Sequence, residues 1–114
     1  MSTASTGKEA ENVAAEYLEH LGYHVISQNW RTRYCEIDIV AQSKQTVCFV
    51  EVKYRQSSRH GSGLDYVTPR KLRQMRFAAE MWVAEHDWRG EYCLGAVEVT
   101  GPAFEITGFV PNCS

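Results

Sequence analysis

Two short segments carry side chains that can do chemistry together: Glu36-Ile37-Asp38-Ile39 and, about a dozen residues later, Phe49-Val50-Glu51-Val52-Lys53. If both are strands, alternation puts Glu36 and Asp38 on one face and Ile37 and Ile39 on the other. The same rule puts Glu51 and Lys53 on one face and Val50 and Val52 on the other. Neighbouring strands lie about 4.8 Å apart, so Asp38 and Glu51 can reach one ion. Carboxylates in apolar strands are costly unless paired or bound to a cation, and two close carboxylates repel until one takes up a proton. A divalent cation removes that penalty. Magnesium suits one or two carboxylates plus a substrate phosphate, and it activates water while neutralising charge on a phosphodiester. Lys53 can then orient the water or stabilise the developing charge. The same pattern also fits a half-solvated sheet face bearing a Glu51–Lys53 ion pair.

Elements must position these groups, and 114 residues with 44% hydrophobic content favour one domain with a modest core. Ala10–Leu21 repeats apolar residues at three- and four-residue spacing and reads as a helix, with Gly22 ending it. His24–Ser27 is a short strand, and Asn29–Tyr34 is polar and basic, as a turn would be. Cys35–Ala41 and Thr46–Tyr54 read as a hairpin joined by Gln42–Gln45. Gln56–Asp65 is rich in Ser and Gly and reads as a loop. Thr68 caps a second helix with Pro69 in its first turn, running to about Glu85, with Leu72, Met75, Ala79, Trp82 and Val83 on one face. Tyr92–Thr100 and Phe104–Val110 are the last strands. The order αβββαββ implies a mixed central sheet flanked by helices, an α/β fold.

Met1–Gly7 lacks the apolar stretch of a signal peptide and is expected to be a flexible leader before a domain spanning 8–114. The longest apolar runs are far below the ~20 residues that cross a bilayer. A cytoplasmic chain without membrane partners is expected, with Cys35, Cys48, Cys93 and Cys113 as free thiols. The histidines His20, His24, His60 and His86 are too scattered for a zinc motif. The net charge of −2 conceals an asymmetry. Arg31 to Arg76 holds ten basic and four acidic residues, a net of +6, and the remainder holds two basic and ten acidic, a net of −8. A basic middle of this kind suits a polyanion.

The Glu36-Ile37-Asp38-Ile39-Val40 and Phe49-Val50-Glu51-Val52-Lys53-Tyr54-Arg55 segments closely resemble the YraN-like family of small bacterial proteins. Those proteins look like Holliday-junction resolvases of the PD-(D/E)XK nuclease superfamily. The likeness extends over Glu11–Leu18, Gly22-Tyr23, Asn29-Trp30-Arg31, Arg59-His60-Gly61 and Val67 to Lys71. It implies a restriction-endonuclease-like core and a Mg2+ (or Mn2+) cofactor. Asp38 and Glu51 would bind the metal, with the Val52 carbonyl contributing and Lys53 as the catalytic lysine. Glu11 would complete the site, with Glu9 as the competing choice. Cys35 stands where the family pattern has glycine. By alternation it shares the face of Ile37 and Ile39, away from the carboxylates.

Arg31, Arg33, Arg55, Arg59, Arg70, Lys71 and Arg73 are candidate phosphate contacts. Trp30, beside Arg31 and Arg33, is a candidate for stacking on nucleic acid. The function expected is metal-dependent hydrolysis of phosphodiesters in branched or structured DNA, by a homodimer as in similar resolvases. Two alternatives stand beside it: a nucleic-acid-binding module of the same fold that does not cut, and a protein-interaction module.

Overall fold

The computed structural model describes residues 3–57 and 67–113, with side chains from Ser5 onward. The expected loop falls largely outside the described residues, as do Arg59 and His60. The elements are α1 (Thr3–His20), β1 (His24–Arg31), β2 (Glu36–Ser43), β3 (Thr46–Arg55), α2 (Pro69–His86), β4 (Glu91–Thr100) and β5 (Glu105–Val110). The order αβββαββ holds. One five-stranded mixed sheet runs β1-β2-β3-β4-β5. Its neighbours are antiparallel except β3 and β4, which are parallel because α2 carries the chain back across the sheet.

Both helices stop in the same way. Gly22 takes a left-handed φ of 101°, which lets Tyr23 N–H reach the Leu18 carbonyl and Gly22 N–H reach that of Glu19. Asp87 does this for α2 at φ 51°, with Trp88 N–H on the Val83 carbonyl. Thr68 caps the start of α2 by accepting from Lys71 N–H at 3.1 Å. The expected leader is corrected: α1 already begins at Thr3. Its first turns read as polar because Ser5 to Glu9 face solvent or are half-exposed, whereas Ala10 is buried.

Each sheet face is closed by one helix. Ala10, Ala14, Ala15 and Leu18 of α1 pack on Ile39, Ala41, Cys48, Val50, Val97 and Val99. Met75, Ala78, Ala79 and Trp82 of α2 pack on Ile37, Val40, Val47, Phe49 and Leu94. Residues along β3 alternate strictly between the two cores, as a strand buried on both faces must. Along β2 they do not. Ile39 faces α1 and Val40 faces α2, yet Ile37 also faces α2.

The expectation that Ile37 and Ile39 share a face is therefore wrong, and the reason is local. β1 pairs Gln28 with Ile39 and Trp30 with Ile37, and Asn29 between them has a left-handed φ of 56°. Gln28 and Ile39 face α1, whereas Trp30 and Ile37 face α2. The two strands turn over together at Asn29 and Asp38. Pairing of β2 with β3 starts only at Ile39↔Val50, so Asp38 sits where β2 leaves its neighbour. All four cysteines are free thiols, and among the described residues no helix is long and apolar enough to cross a membrane.

Candidate metal and nucleic-acid site

The departure of β2 from β3 would leave the Val52 N–H without a strand partner. The Asp38 side chain fills that role, accepting from it at 2.8 Å. Asp38 is thus fixed between the strands rather than on either face. Glu51 projects toward α2, where its Oε1 meets Lys71 Nζ at 2.9 Å. Lys53, two residues on, faces the same side and is exposed. Val50 and Val52 pack on the α1 side, as alternation requires.

Glu11 reaches the site from α1. Its Oε1 is buried and has no hydrogen-bond partner. Burial raises the Glu11 carboxyl above its ordinary value, and the charges of Glu36 and Glu51 raise it further, against the lowering effect of Lys8 and Arg31. Asp38 is pushed up to about 7, first by burial and then by the Glu51 charge. The Val52 hydrogen bond opposes this, while Glu11 and Glu36 add to it. Four acids from three elements thus act on one another. Glu9 is exposed and is not among Asp38's electrostatic neighbours, so Glu11 is the helix acid of this cluster. Among the described residues, no three acid, histidine or cysteine side chains already form a metal-ligand group. Glu51 is engaged by Lys71 and Glu36 by Arg31 at 3.4 Å.

A cavity of about 590 Å³ opens beside the acids, between the start of β2 and the first half of α2. Glu36 and Glu51 line it, with Arg70, Lys71, Arg73 and Gln74 on the helix side. Arg70, Lys71 and Arg73 are therefore gathered at one place, as a phosphate-binding role requires.

The other cations fare differently. Arg31 is exposed and paired with Glu36. Arg33 is exposed and lies over the Tyr34 ring at 5.4 Å. Arg55 lies in an ion pair with Glu98 rather than at the cavity. Its Nε donates to Glu98 Oε2 at 2.8 Å, and Glu98 is buried to 4% exposure and also accepts from Thr107 Oγ1. A buried carboxylate needs that cation, which gives Arg55 a role in the fold. Trp30 packs, partly buried, against the α2-side core and makes a T-shaped contact with His86.

Cys35 shares the face of Ile37 as expected but not that of Ile39, and it is not set apart from the carboxylates. It packs on the α2-side core and lines the cavity with Glu36 and Glu51, because the strand turns over between Ile37 and Ile39. Sequence reasoning missed Tyr34 and Phe77, which line the same cavity and are 67% and 50% exposed. A signal for Phe77 was present: an aromatic outside the apolar face of α2, one position after Arg76.

Residues 10–101 match the uncharacterised protein family UPF0102. A UPF0102 protein of Mycolicibacterium gilvum is 43% identical over 90 residues, covering 77% of this chain and 73% of that protein. One of Chlorobium chlorochromatii is 40% identical over 100 residues, covering 88% and 75%. One of Cytophaga hutchinsonii is 35% identical over 106 residues, covering 93% of this chain and 94% of its own length. The match spans both helices, the turnover at Asn29 and Asp38, and all four clustered acids, and the chain belongs to the UPF0102 family.

Proposed function

We propose that this chain is a Mg2+- or Mn2+-dependent nuclease of the PD-(D/E)XK type, hydrolysing phosphodiester bonds in branched or structured DNA. The observation that carries this reading is the buried Glu11 Oε1 without a hydrogen-bond partner, beside a buried Asp38 held where β2 leaves β3, with the charges of Glu36 and Glu51 acting on both. The Val52, Lys71 and Arg31 partners account for Asp38, Glu51 and Glu36 separately but not for Glu11 Oε1, and a divalent cation would relieve the repulsion among the four. A helix, an antiparallel hairpin and a parallel strand reached through a second helix also suit such a core.

The acids present fit a hard cation. Asp38, Glu51 and Glu11 would supply carboxylate oxygens. The N–H and C=O of one residue in a strand point to the same edge, so the Val52 carbonyl also faces the gap that holds Asp38. A metal held there supplies Lewis-acid and water-activating chemistry. Lys53, exposed on the face of Glu51, is placed to orient water or to donate to a phosphoryl oxygen. Arg70, Lys71 and Arg73 would hold the flanking phosphates. Cutting both strands of a junction takes two such sites, so a homodimer belongs to the proposal.

One observation favours a second reading, a module that binds without cutting: Glu51, an acid the metal needs, is already neutralised by Lys71. Cleavage of a branched DNA with Mg2+ or Mn2+ separates the two. The nuclease reading expects wild type to cut, Lys53→Ala to lose roughly 10²–10³-fold in rate, and Asp38→Asn to lose metal binding by calorimetry. Salt-sensitive binding with no cleavage under any divalent metal would leave the silent module.

A further inference from the structure

We propose that the cavity between β2 and α2 receives an unpaired nucleotide, its base stacked on Tyr34 and Phe77 and its phosphate held by Arg70 and Arg73. This rests on the nucleic-acid site described above and specifies its substrate: a strand with an unpaired base beside the scissile bond, rather than continuous duplex.

Single exposed aromatics are ordinary on a protein surface. Here two large rings, 67% and 50% exposed, line one cavity together with three cations and the acid cluster. Phe77 is not kept for packing, since α2 buries Met75, Ala78, Ala79 and Trp82 against the sheet. Arg70, Arg73, Gln74 and Phe77 follow the spacing i, i+3, i+4, i+7 and therefore share one stripe of the helix. Arg73 and Phe77 stand about 6 Å apart along the axis. One stripe thus offers charge at one end and a ring at the other, as an anionic backbone with an aromatic base demands. Arg33 covers one side of the Tyr34 ring, which leaves the other for a base.

Bases inside a duplex are stacked on both faces and cannot meet these rings, whereas an unpaired base can. The cavity, about 590 Å³, is of the size that takes a small ligand. A protein partner matches less well, because docking apolar side chains on Phe77 would bury Arg70 and Arg73 beside it, whereas a phosphate would pair with them.

Binding without cleavage tests this in the full chain. Fluorescence anisotropy in Ca2+ compares a short single strand, the same sequence as blunt duplex, and a duplex with a central unpaired loop. Wild type is expected to prefer the single strand and the looped duplex. Phe77→Ala should weaken those two by roughly 5- to 100-fold and leave the blunt duplex unchanged, while Phe77→Trp should preserve the preference. Tyr34→Ala should act like Phe77→Ala, and Phe77→Leu repeats the test with the fold's surface bulk retained. Equal affinity for paired and unpaired strands, or equal losses on both, would overturn the proposal. So would a Phe77→Ala effect confined to oligomeric state in sedimentation, which would mark the rings as a contact between copies. Failure of the nuclease reading looks different: the unpaired preference persists while no metal supports cleavage.

Discussion

The protonation of Asp38 gives the acid cluster a consequence measurable without any substrate. Its carboxyl is raised from 3.8 to about 7. Between those values the folded chain holds a proton that the unfolded chain has lost. The associated stability is complete below about pH 4 and disappears as pH rises through 7. Such a difference sets a ceiling of roughly 4 kcal/mol, and partial solvent access brings the expected loss to about 2 kcal/mol. Metal-free wild type should therefore lose stability in urea melts between pH 4 and 8. Asp38→Asn keeps an acceptor for the Val52 N–H and should flatten that slope. Excess Mg2+ at pH 8 should restabilise wild type and not the variant. A wild-type curve already flat from pH 4 to 8 in chelator would show that Asp38 ionises freely. Glu11→Gln removes a charge that burial opposes, so it should raise metal-free stability at neutral pH while weakening Mg2+ binding in titration calorimetry.

At the scale of elements, the site depends on two strands turning over at once. Asn29 adopts a left-handed backbone, which a branched residue tolerates poorly and glycine freely. Asn29→Val should cost about 1–2 kcal/mol and speed hydrogen exchange at the Val52 amide, whereas Asn29→Gly should stay near wild type in both. Equal behaviour of the two variants would mean that Asn29 does not set the aim of Asp38. The Arg55–Glu98 pair is a second element-level device, tying β3 to β4. Arg55→Ala strands a buried carboxylate and should cost about 3 kcal/mol in denaturant unfolding, with Glu98→Leu added in the same chain recovering most of it.

These same features mark what the sequence could tell. Both helices, the five strands and their order were legible, because apolar period and capping residues act locally, but Asn29–Arg31 was read as turn although it completes β1. Asp38 and Glu51 were legible as an acid pair for the same reason. The reversal at Ile37 was not, since strict alternation is a local rule and the turnover is imposed by pairing with β1 and by a side chain standing in for a strand. The Arg55–Glu98 pair was not legible, because the partner lies 43 residues away on β4. Tyr34 and Phe77 become neighbours of the acids only once α2 folds back over β2.

For the whole molecule, the proposed binding of a polyanion has to be reconciled with a net charge of −2. The basic middle seen in the sequence does not act as one surface. Arg55 is spent on Glu98, Arg31 pairs with Glu36, and Arg70, Lys71 and Arg73 are gathered on one flank of α2 beside the acids. The electrostatic footprint is therefore small and local. With Arg70 and Arg73 as the phosphate contacts, Lys71 being paired with Glu51, the logarithm of affinity should fall with the logarithm of salt at a slope of about −1.4 for single strands. Arg73→Ala should flatten that slope by about 0.7, equally for every sequence tested, because a phosphate contact positions without reading bases. Arg55→Lys, which leaves the Glu98 partner charged, should keep the slope at its wild-type value. A slope near −5 in wild type would point to cations distributed over a much larger surface. A slope untouched by Arg73→Ala would place the nucleic acid somewhere other than the cavity under α2.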